Sequence, residues 1–143
     1  MKKRSGANSS SKPLEPLVFF LDRSLGKKKI ADALRQAGER VEVHDEHFPV
    51  DARDEDWLSV VGERRWVVFT KDAKIRYRAL ERNALIRAGV RAFVLTTADL
   101  RGEEMGQIFI KALPTIKRFI AKHSPPFIAK VTRSGAVQML IES

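Results

Sequence analysis

The sequence contains no cysteine, and none of its hydrophobic runs is long. The absence of cysteine excludes disulfide bonds, thiolate metal sites and cysteine nucleophiles, and it suits a reducing compartment. No apolar run approaches the ~20 residues of a membrane helix, and the basic N-terminus lacks the apolar core of a secretory signal. We therefore expect a cytoplasmic protein with no membrane partner. Glycine-rich fingerprints for dinucleotides or nucleotide phosphates are also missing.

Positive charge, in contrast, is abundant. The 143 residues include 27 Lys and Arg against 18 Asp and Glu, a net charge of +9. Residues 1–16 are rich in Ser, Lys and Pro without hydrophobic periodicity, which predicts a disordered basic tail. The remaining residues, 17–143, still carry an excess of cations. Such a surface favours polyanions, and nucleic acid is the main candidate.

The sequence of residues 17–143 predicts a single domain in which strands and helices alternate. Apolar or alternating runs at 17–21, 41–43, 66–69 and 90–95 predict strands, and helical periodicity separates them. Ser24 is placed to cap the first helix. The last helix, 103–122, contains Pro114, so we expect a kink or a break there. Segments 127–132 and 136–141 predict a C-terminal β-hairpin. This order predicts a three-layer α/β/α fold with a mostly parallel central sheet.

Three acids occupy positions that suit a site better than a core. Asp22 follows the first strand, Asp54 opens a helix, and Asp72 comes shortly after the third strand. Open α/β sheets bind ligands beyond the carboxyl ends of their strands, so these acids are expected to converge. Two carboxylates ~4 Å apart repel by ~4 kcal/mol at an effective dielectric near 20, and a divalent cation removes that repulsion. Mg²⁺ and Mn²⁺ prefer such oxygen ligands. The alternative is that each acid is a helix cap or a loop acid.

A basic segment begins beside the third of these acids. It contains Lys71, Lys74, Arg76 and Arg78, with Tyr77 between two arginines. Arginine suits bidentate contact with phosphate, and an aromatic ring can stack on a base of single-stranded RNA. The segment is therefore a candidate RNA-binding region. The alternative is a solvated helix face with Tyr77 partly buried.

The run His44-Asp45-Glu46-His47 contains several metal-binding side chains in succession. It lacks the His-x-x-x-His spacing of helical zinc sites, and there are no cysteine partners. We predict a turn after the second strand, near the acids, and not a zinc site.

The acids also carry a family resemblance. The stretch from Asp54 to Leu58, followed by a strand and Thr70-Lys71-Asp72, resembles the PIN-domain pattern, and Asp22 matches the acid that ends the first PIN strand. The similarity covers roughly residues 17–100. It is closest to the compact PIN-like group typified by VapC-type toxins and Mut7-C-like domains.

The resemblance implies a divalent-metal-dependent endoribonuclease using Mg²⁺ or Mn²⁺, acting as the toxin of a toxin–antitoxin pair. Its partners would be RNA, a small antitoxin protein and a second copy in a homodimer. Asp22, Asp54 and Asp72 would be the catalytic, metal-coordinating acids, and Thr70 would orient Asp72 or contact a metal-bound water. Larger PIN domains carry a further acid on an intervening helix that is short here. Asp56, Glu81 and Asp99 are the candidates for that ligand.

Two other functions compete with this one. The unassigned fourth acid motivates a catalytically silent RNA-binding module on the same fold. A receiver-like signalling domain also places acids at strand ends, but it needs an acid pair after the first strand and a phosphoacceptor directly ending the third. Asp22-Arg23 and Thr70-Lys71-Asp72 fit that pattern poorly.

Overall fold

A six-stranded sheet forms the middle layer of the protein in the computed structural model, which describes residues 17–26, 28–71, 79–96 and 100–142. The strands lie in the order β2-β1-β3-β4-β5-β6. All neighbours are parallel except β5 and β6, which form the expected antiparallel hairpin. The strands are Val18–Leu21 (β1), Arg40–Val43 (β2), Val67–Thr70 (β3), Arg91–Leu95 (β4), Phe127–Val131 (β5) and Val137–Glu142 (β6). The predicted tail, 1–16, lies outside the described residues.

Helices cover both faces of the sheet. Those described are Lys29–Gln36 (α1), His44–His47 (α2), Asp54–Glu63 (α3), Ala79–Ala88 (α4) and Gly102–Lys122 (α5). Buried residues of α1 and α5 pack on one face, and those of α3 and α4 pack on the other. The three-layer α/β/α prediction is therefore confirmed. Within the described ranges, no helix combines the length and the apolar composition needed to cross a membrane.

Successive side chains of β1 point to opposite faces of the sheet, so this one strand contacts both helical layers. Phe19 and Leu21 point towards α1 and α5, whereas Phe20 points towards α3 and α4, as the two-residue period of a strand requires. On the first face, Phe69 stacks on Phe109 with ring centroids 4.4 Å apart. On the second, Phe20 lies 5.4 Å from Trp57. Each fully buried side chain of this size contributes about 1.5–3 kcal/mol, so both helical layers are firmly attached to the sheet.

Helix α5 is continuous through Pro114, so of the expected kink or break, the break into two helices is wrong. Proline removes one backbone hydrogen bond from a helix interior. Here Pro114 itself is exposed, while Phe109, Leu113 and Ile116 are buried on both sides of it. Packing of this face on the sheet therefore continues across the proline and offsets the missing bond.

Three helices end with the same backbone hydrogen bonds. After α1 and α4 the positive-φ position is taken by Gly38 and Gly89, as is usual for this type of helix end. After α3 the corresponding bonds are Arg65 N–H to Gly62 O at 3.1 Å and Trp66 N–H to Val61 O at 3.1 Å. Arg65 has φ 62°, a conformation that is unfavourable for a residue with a side chain. This arginine is the exception among the three.

Candidate active site

The strand order reverses between β1 and β3. The chain leaves β1 through α1 towards β2, and it returns through α3 on the opposite face to β3. In open α/β sheets such a reversal leaves a crevice beyond the carboxyl ends of the two strands, where ligands bind. Leu21 pairs with Phe69 in the parallel register, and the N–H of Asp22 donates to Phe69 O at 3.2 Å. Asp22 therefore lies at this crevice beside Thr70.

Four groups converge on one another there, and we call them the Asp22 cluster: Asp22, Ser24, Thr70 and the backbone N–H of Lys71. Thr70 Oγ1 donates to Asp22 Oδ2 at 2.6 Å. The backbone N–H of Ser24 donates to Asp22 Oδ1 at 2.9 Å, and the Ser24 hydroxyl donates to the same oxygen. Ser24 Oγ in turn accepts the N–H of Lys71 at 3.0 Å and lies 3.1 Å from Thr70 Oγ1.

Two members of the cluster are buried, whereas Ser24 is half-buried and Lys71 is exposed. Asp22 is 8% exposed and Thr70 is 0% exposed. A buried carboxylate is costly unless hydrogen bonds compensate it, and each bond to a charged acceptor contributes about 1.5–3 kcal/mol. Donors on both oxygens fix the orientation of the Asp22 carboxylate. The side-chain groups of the cluster are carboxylate and hydroxyl oxygens, which fit a hard divalent cation such as Mg²⁺ or Mn²⁺.

Ser24 does not cap the first helix, so that prediction is wrong. The residue lies in a 3₁₀ turn, Arg23–Leu25, whose N-cap is Asp22, whereas α1 begins after Lys28 without a side-chain cap. The short turn brings the Ser24 hydroxyl back over the end of β3. Sequence reasoning missed its part in the site because that part depends on contact with Thr70 and Lys71, far away in the sequence.

Asp54 lies in the first turn of α3, as predicted, and is half-buried. Its Oδ1 accepts the indole N–H of Trp57 at 2.9 Å, and Trp57 is itself buried against Phe20. An acid in the first turn also interacts favourably with the helix dipole. The Asp54 carboxylate is thus held in place by a side chain of the core.

His44 also lies at this edge of the sheet, where its burial was not predicted from the sequence. It follows β2 directly, is 1% exposed and lies between the rings of Phe48 and Trp57, at 5.4 and 5.7 Å. Burial lowers the pKa of His44, and the positive charge of Arg23 lowers it further, while Asp45 and Asp54 raise it. His44 therefore lies close enough to Arg23 and Asp54 for their charges to affect its pKa. Its place directly after a strand is the feature by which the sequence predicted a position near the acids.

The remaining predicted residues are distributed as follows. Asp56 is exposed, and its Oδ2 lies 3.4 Å from Arg53 Nε. Glu81 belongs to α4, and its side chain is not among those described. Lys71 is exposed, and its N–H takes part in the Asp22 cluster. Asp72, Lys74, Arg76, Tyr77, Arg78 and Asp99 lie outside the described residues.

The run His44–His47 forms the short helix α2 and not a turn, because Phe48 N–H closes a helical bond to His44 O at 2.9 Å. This helix brings His47 Nε2 to 2.6 Å from Glu42 Oε1 on the edge strand. Ligand atoms of Glu42, Glu46 and His47 lie within 4.8 Å of one another, a group able to hold a cation. These residues are distinct from the predicted acids. His44 belongs to the same helix, but its ring is buried against Phe48 and Trp57, and it is not part of this group.

Comparison with known proteins agrees with this architecture. The family model of the PIN like domain matches residues 17–97. The chain is 35% identical over 126 residues to the putative ribonuclease VapC45 of Mycobacterium tuberculosis (strain ATCC 25618 / H37Rv), an alignment that spans 85% of this chain and 91% of the relative. No solved structure matches the chain. From the family match and this relative together, we conclude that the chain belongs to the PIN-like domain family, among its VapC-type members.

Proposed function

We propose that this protein is a divalent-metal-dependent endoribonuclease that hydrolyses RNA phosphodiesters. The observation that carries the proposal is the Asp22 cluster, a buried carboxylate at the strand-order reversal that is held by Ser24 and Thr70. Family membership supports the same reaction class, as does the name of the relative, a putative ribonuclease.

In this proposal Asp22, Asp54 and Asp72 bind Mg²⁺ or Mn²⁺, and Asp56, Glu81 and Asp99 are the candidates for a further ligand. The oxygen donors at Asp22 and Asp54 fit such a cation. When bound, it would lower the pKa of a water and stabilise negative charge on the phosphodiester.

The chain's own residues have separate tasks. Ser24 and Thr70 orient the Asp22 carboxylate, and Trp57 orients that of Asp54. Lys71 begins the basic segment that continues through Lys74, Arg76 and Arg78, which we propose binds substrate phosphates, with Tyr77 stacking on a base. Burial of Asp22 and Thr70 strengthens the hydrogen bond between them.

We further propose that the protein is the toxin of a toxin–antitoxin pair, neutralised by a small antitoxin protein. The alignment covers nearly the full length of the VapC-type relative, so the proposal concerns the whole chain and not one shared segment. A homodimer is a further proposal from the family. Induced expression of the wild type is expected to arrest growth of a bacterial host, and an Asp22→Asn chain is expected not to.

The direct test is RNA cleavage by the purified chain with Mg²⁺, with Mn²⁺ and with EDTA. Asp22→Asn and Asp54→Asn should each lower the rate by more than about 100-fold, beyond the 10–100-fold typical of outer-shell partners. Glu63→Gln is the matched control, because it removes a carboxylate from an exposed position at the other end of α3. Circular dichroism checks that each variant is folded. Cleavage that persists in EDTA and in both Asn variants would exclude the proposed metal site.

The same assay, together with a measurement of RNA binding, distinguishes a ribonuclease from a catalytically silent RNA-binding module. RNA binding that weakens with salt, without EDTA-sensitive cleavage at high protein concentration, would assign the chain to RNA binding alone.

A further inference from the structure

A pocket rich in arginine lies at the opposite end of the sheet from the Asp22 cluster. Its volume is about 640 Å³. The strand and helix ends that form it are the beginnings of β1, β2 and β4, the residue before β3, and the residues that end α3 and α4. We call it the arginine pocket, and its charged lining residues are Arg40, Arg64, Arg65 and Arg91.

The positive charge of this pocket has no carboxylate beside it among the residues that the structure describes. Among the described residues that line it there is no Asp or Glu. Within the same part of the chain, none of the four arginines forms an ion pair with a carboxylate. Burial lowers the pKa of Arg91, and the neighbouring charge of Arg65 lowers it further. Arg65 and Arg91 therefore repel each other, and a bound anion would relieve that repulsion.

Two of these guanidinium groups are held by neutral partners. Arg64 lies over the ring of Trp66, with its Cζ 5.0 Å from the ring centroid. The Nη2 of Arg91 donates to Arg65 O at 2.7 Å. Cation–π contact and carbonyl bonding fix the position of a guanidinium without neutralising it. The pocket is thus organised in advance for an anionic ligand.

Helix dipoles explain only part of this arrangement. Cations near the carboxyl ends of α3 and α4 interact favourably with the dipoles of those helices. Arg40 follows the carboxyl end of α1 as Arg91 follows that of α4, so the dipole of α1 favours it in the same way. Arg65 occupies the positive-φ position where the other two helices have glycine, so its side chain is kept at a cost to the backbone. An arginine kept at such a cost indicates a role for its side chain.

We propose that the arginine pocket is a second RNA-binding site, which takes phosphate groups of the substrate strand away from the cleavage site. The proposal rests on the proposed function only in that the ligand is RNA. The planar fork of arginine matches phosphate oxygens in pairs, and several closely spaced arginines match the repeated phosphates of a strand. The strands between the two edges are about four residues long, or roughly 13 Å, so one RNA molecule can contact both.

The test measures binding of a fluorescently labelled single-stranded RNA of about 20 nucleotides, in EDTA, by the full chain carrying Asp22→Asn. Adding Arg40→Gln with Arg64→Gln should weaken binding by roughly 15-fold at 0.15 M salt, or about fourfold for each arginine that no longer binds a phosphate. The slope of log affinity against log salt should fall by about 0.7 for each such arginine. Arg118→Gln with Lys122→Gln removes the same charge from exposed positions on α5 and should leave both values unchanged.

Arg65→Gly distinguishes an effect on RNA binding from an effect on folding. It should raise the melting temperature by about 2 °C, because glycine relieves the positive-φ strain, while RNA affinity falls about fourfold. A fall in both quantities would overturn the proposal, since the arginine would then act through stability.

Three other outcomes are decisive. If the Asp22→Asn chain binds no RNA, the proposed function fails. If it binds and the pocket variants bind equally well, only the second site is excluded. If a polyglutamate peptide displaces RNA from the intact pocket at lower concentration than unlabelled RNA does, the pocket is instead a site for an acidic protein.

Discussion

Asp22 is a charged side chain that is only 8% exposed, and hydroxyl and backbone donors contact both of its oxygens. Such a group is stable in a core only because its charge is compensated. Thr70 and Ser24 supply this compensation from different segments, and the order of β1 and β3 brings those segments together. Thr70 is thus a positioning residue in the proposed site, because its hydroxyl holds the carboxylate of Asp22 in one orientation.

Replacing the hydroxyl of Thr70 tests this role. Thr70→Val should lower the free energy of unfolding by about 1.5–3 kcal/mol, since it removes a hydrogen bond to a charged acceptor. It should also slow RNA cleavage by about 10–100-fold. Thr70→Ser keeps the hydroxyl and removes one buried methyl, worth about 0.8 kcal/mol, so it should keep most of the activity. Urea unfolding and cleavage rates measure both effects. Equal activity of the two variants would show that the Thr70 hydroxyl does not position Asp22.

Helices α3 and α4 pack against each other through a glycine. A Cβ placed on Gly62 would lie 2.2 Å from Ala88 O and 2.9 Å from Ala88 Cβ. Because the nearer obstacle is backbone, neither helix can give way without moving as a whole. This contact sets the position of α3, and therefore that of Asp54 in its first turn.

Gly62→Ala should consequently destabilise the protein by about 1–3 kcal/mol, as overpacking does, although alanine gains about 1 kcal/mol in helix propensity. Gly106→Ala on α5 is the matched control. The added methyl there meets Ala33 Cβ at 3.2 Å, so the propensity gain should offset the crowding and leave stability nearly unchanged. Thermal unfolding compares the two, and an equally mild effect of both would show that α3 and α4 adjust easily.

On the scale of the whole molecule, the two ends of the sheet have different chemistry. The carboxyl ends of the strands carry Asp22 and, nearby, Asp54 and His44. The amino ends carry the arginine pocket. The carboxylates are therefore concentrated at the edge where we propose that a cation binds, and the arginines lie at the edge where we propose that RNA binds.

The buried His44 predicts how global stability depends on pH. Its pKa is lowered in the folded protein, first by burial and then by Arg23, so the unfolded chain binds its proton more readily. The resulting stability is present above about pH 6.5, the ordinary pKa of histidine, and is lost as the pH falls. Urea unfolding at pH 7.5 and 5.5 should show this loss in the wild type and a smaller loss in His44→Phe. His123→Gln is the control, and identical losses in all three would contradict the assignment to His44.

Much of the fold follows from local patterns. The apolar runs of β1 and β3, the alternation of β2 and the hairpin of β5 and β6 depend on side-chain periodicity, which short windows of sequence contain. Asp54 at the start of α3 was likewise predictable, because the acid adjoins the first turn of an amphipathic helix. The continuity of α5 through Pro114 was not predictable, because packing on the sheet overrides the local effect of proline.

The sequence by itself determined the alternation of strands and helices, the basic character of the chain and the position of Asp22 after a strand. The charge follows from composition, and the other two follow from patterns of neighbouring residues. Only the tertiary structure decided that Ser24 and Thr70 hold Asp22, that His44 is buried at the same edge, and that four arginines surround one pocket. These groups come from separate strands and helices. The physical reason is that their contacts form only when parallel strands align in register, and no local pattern encodes that alignment.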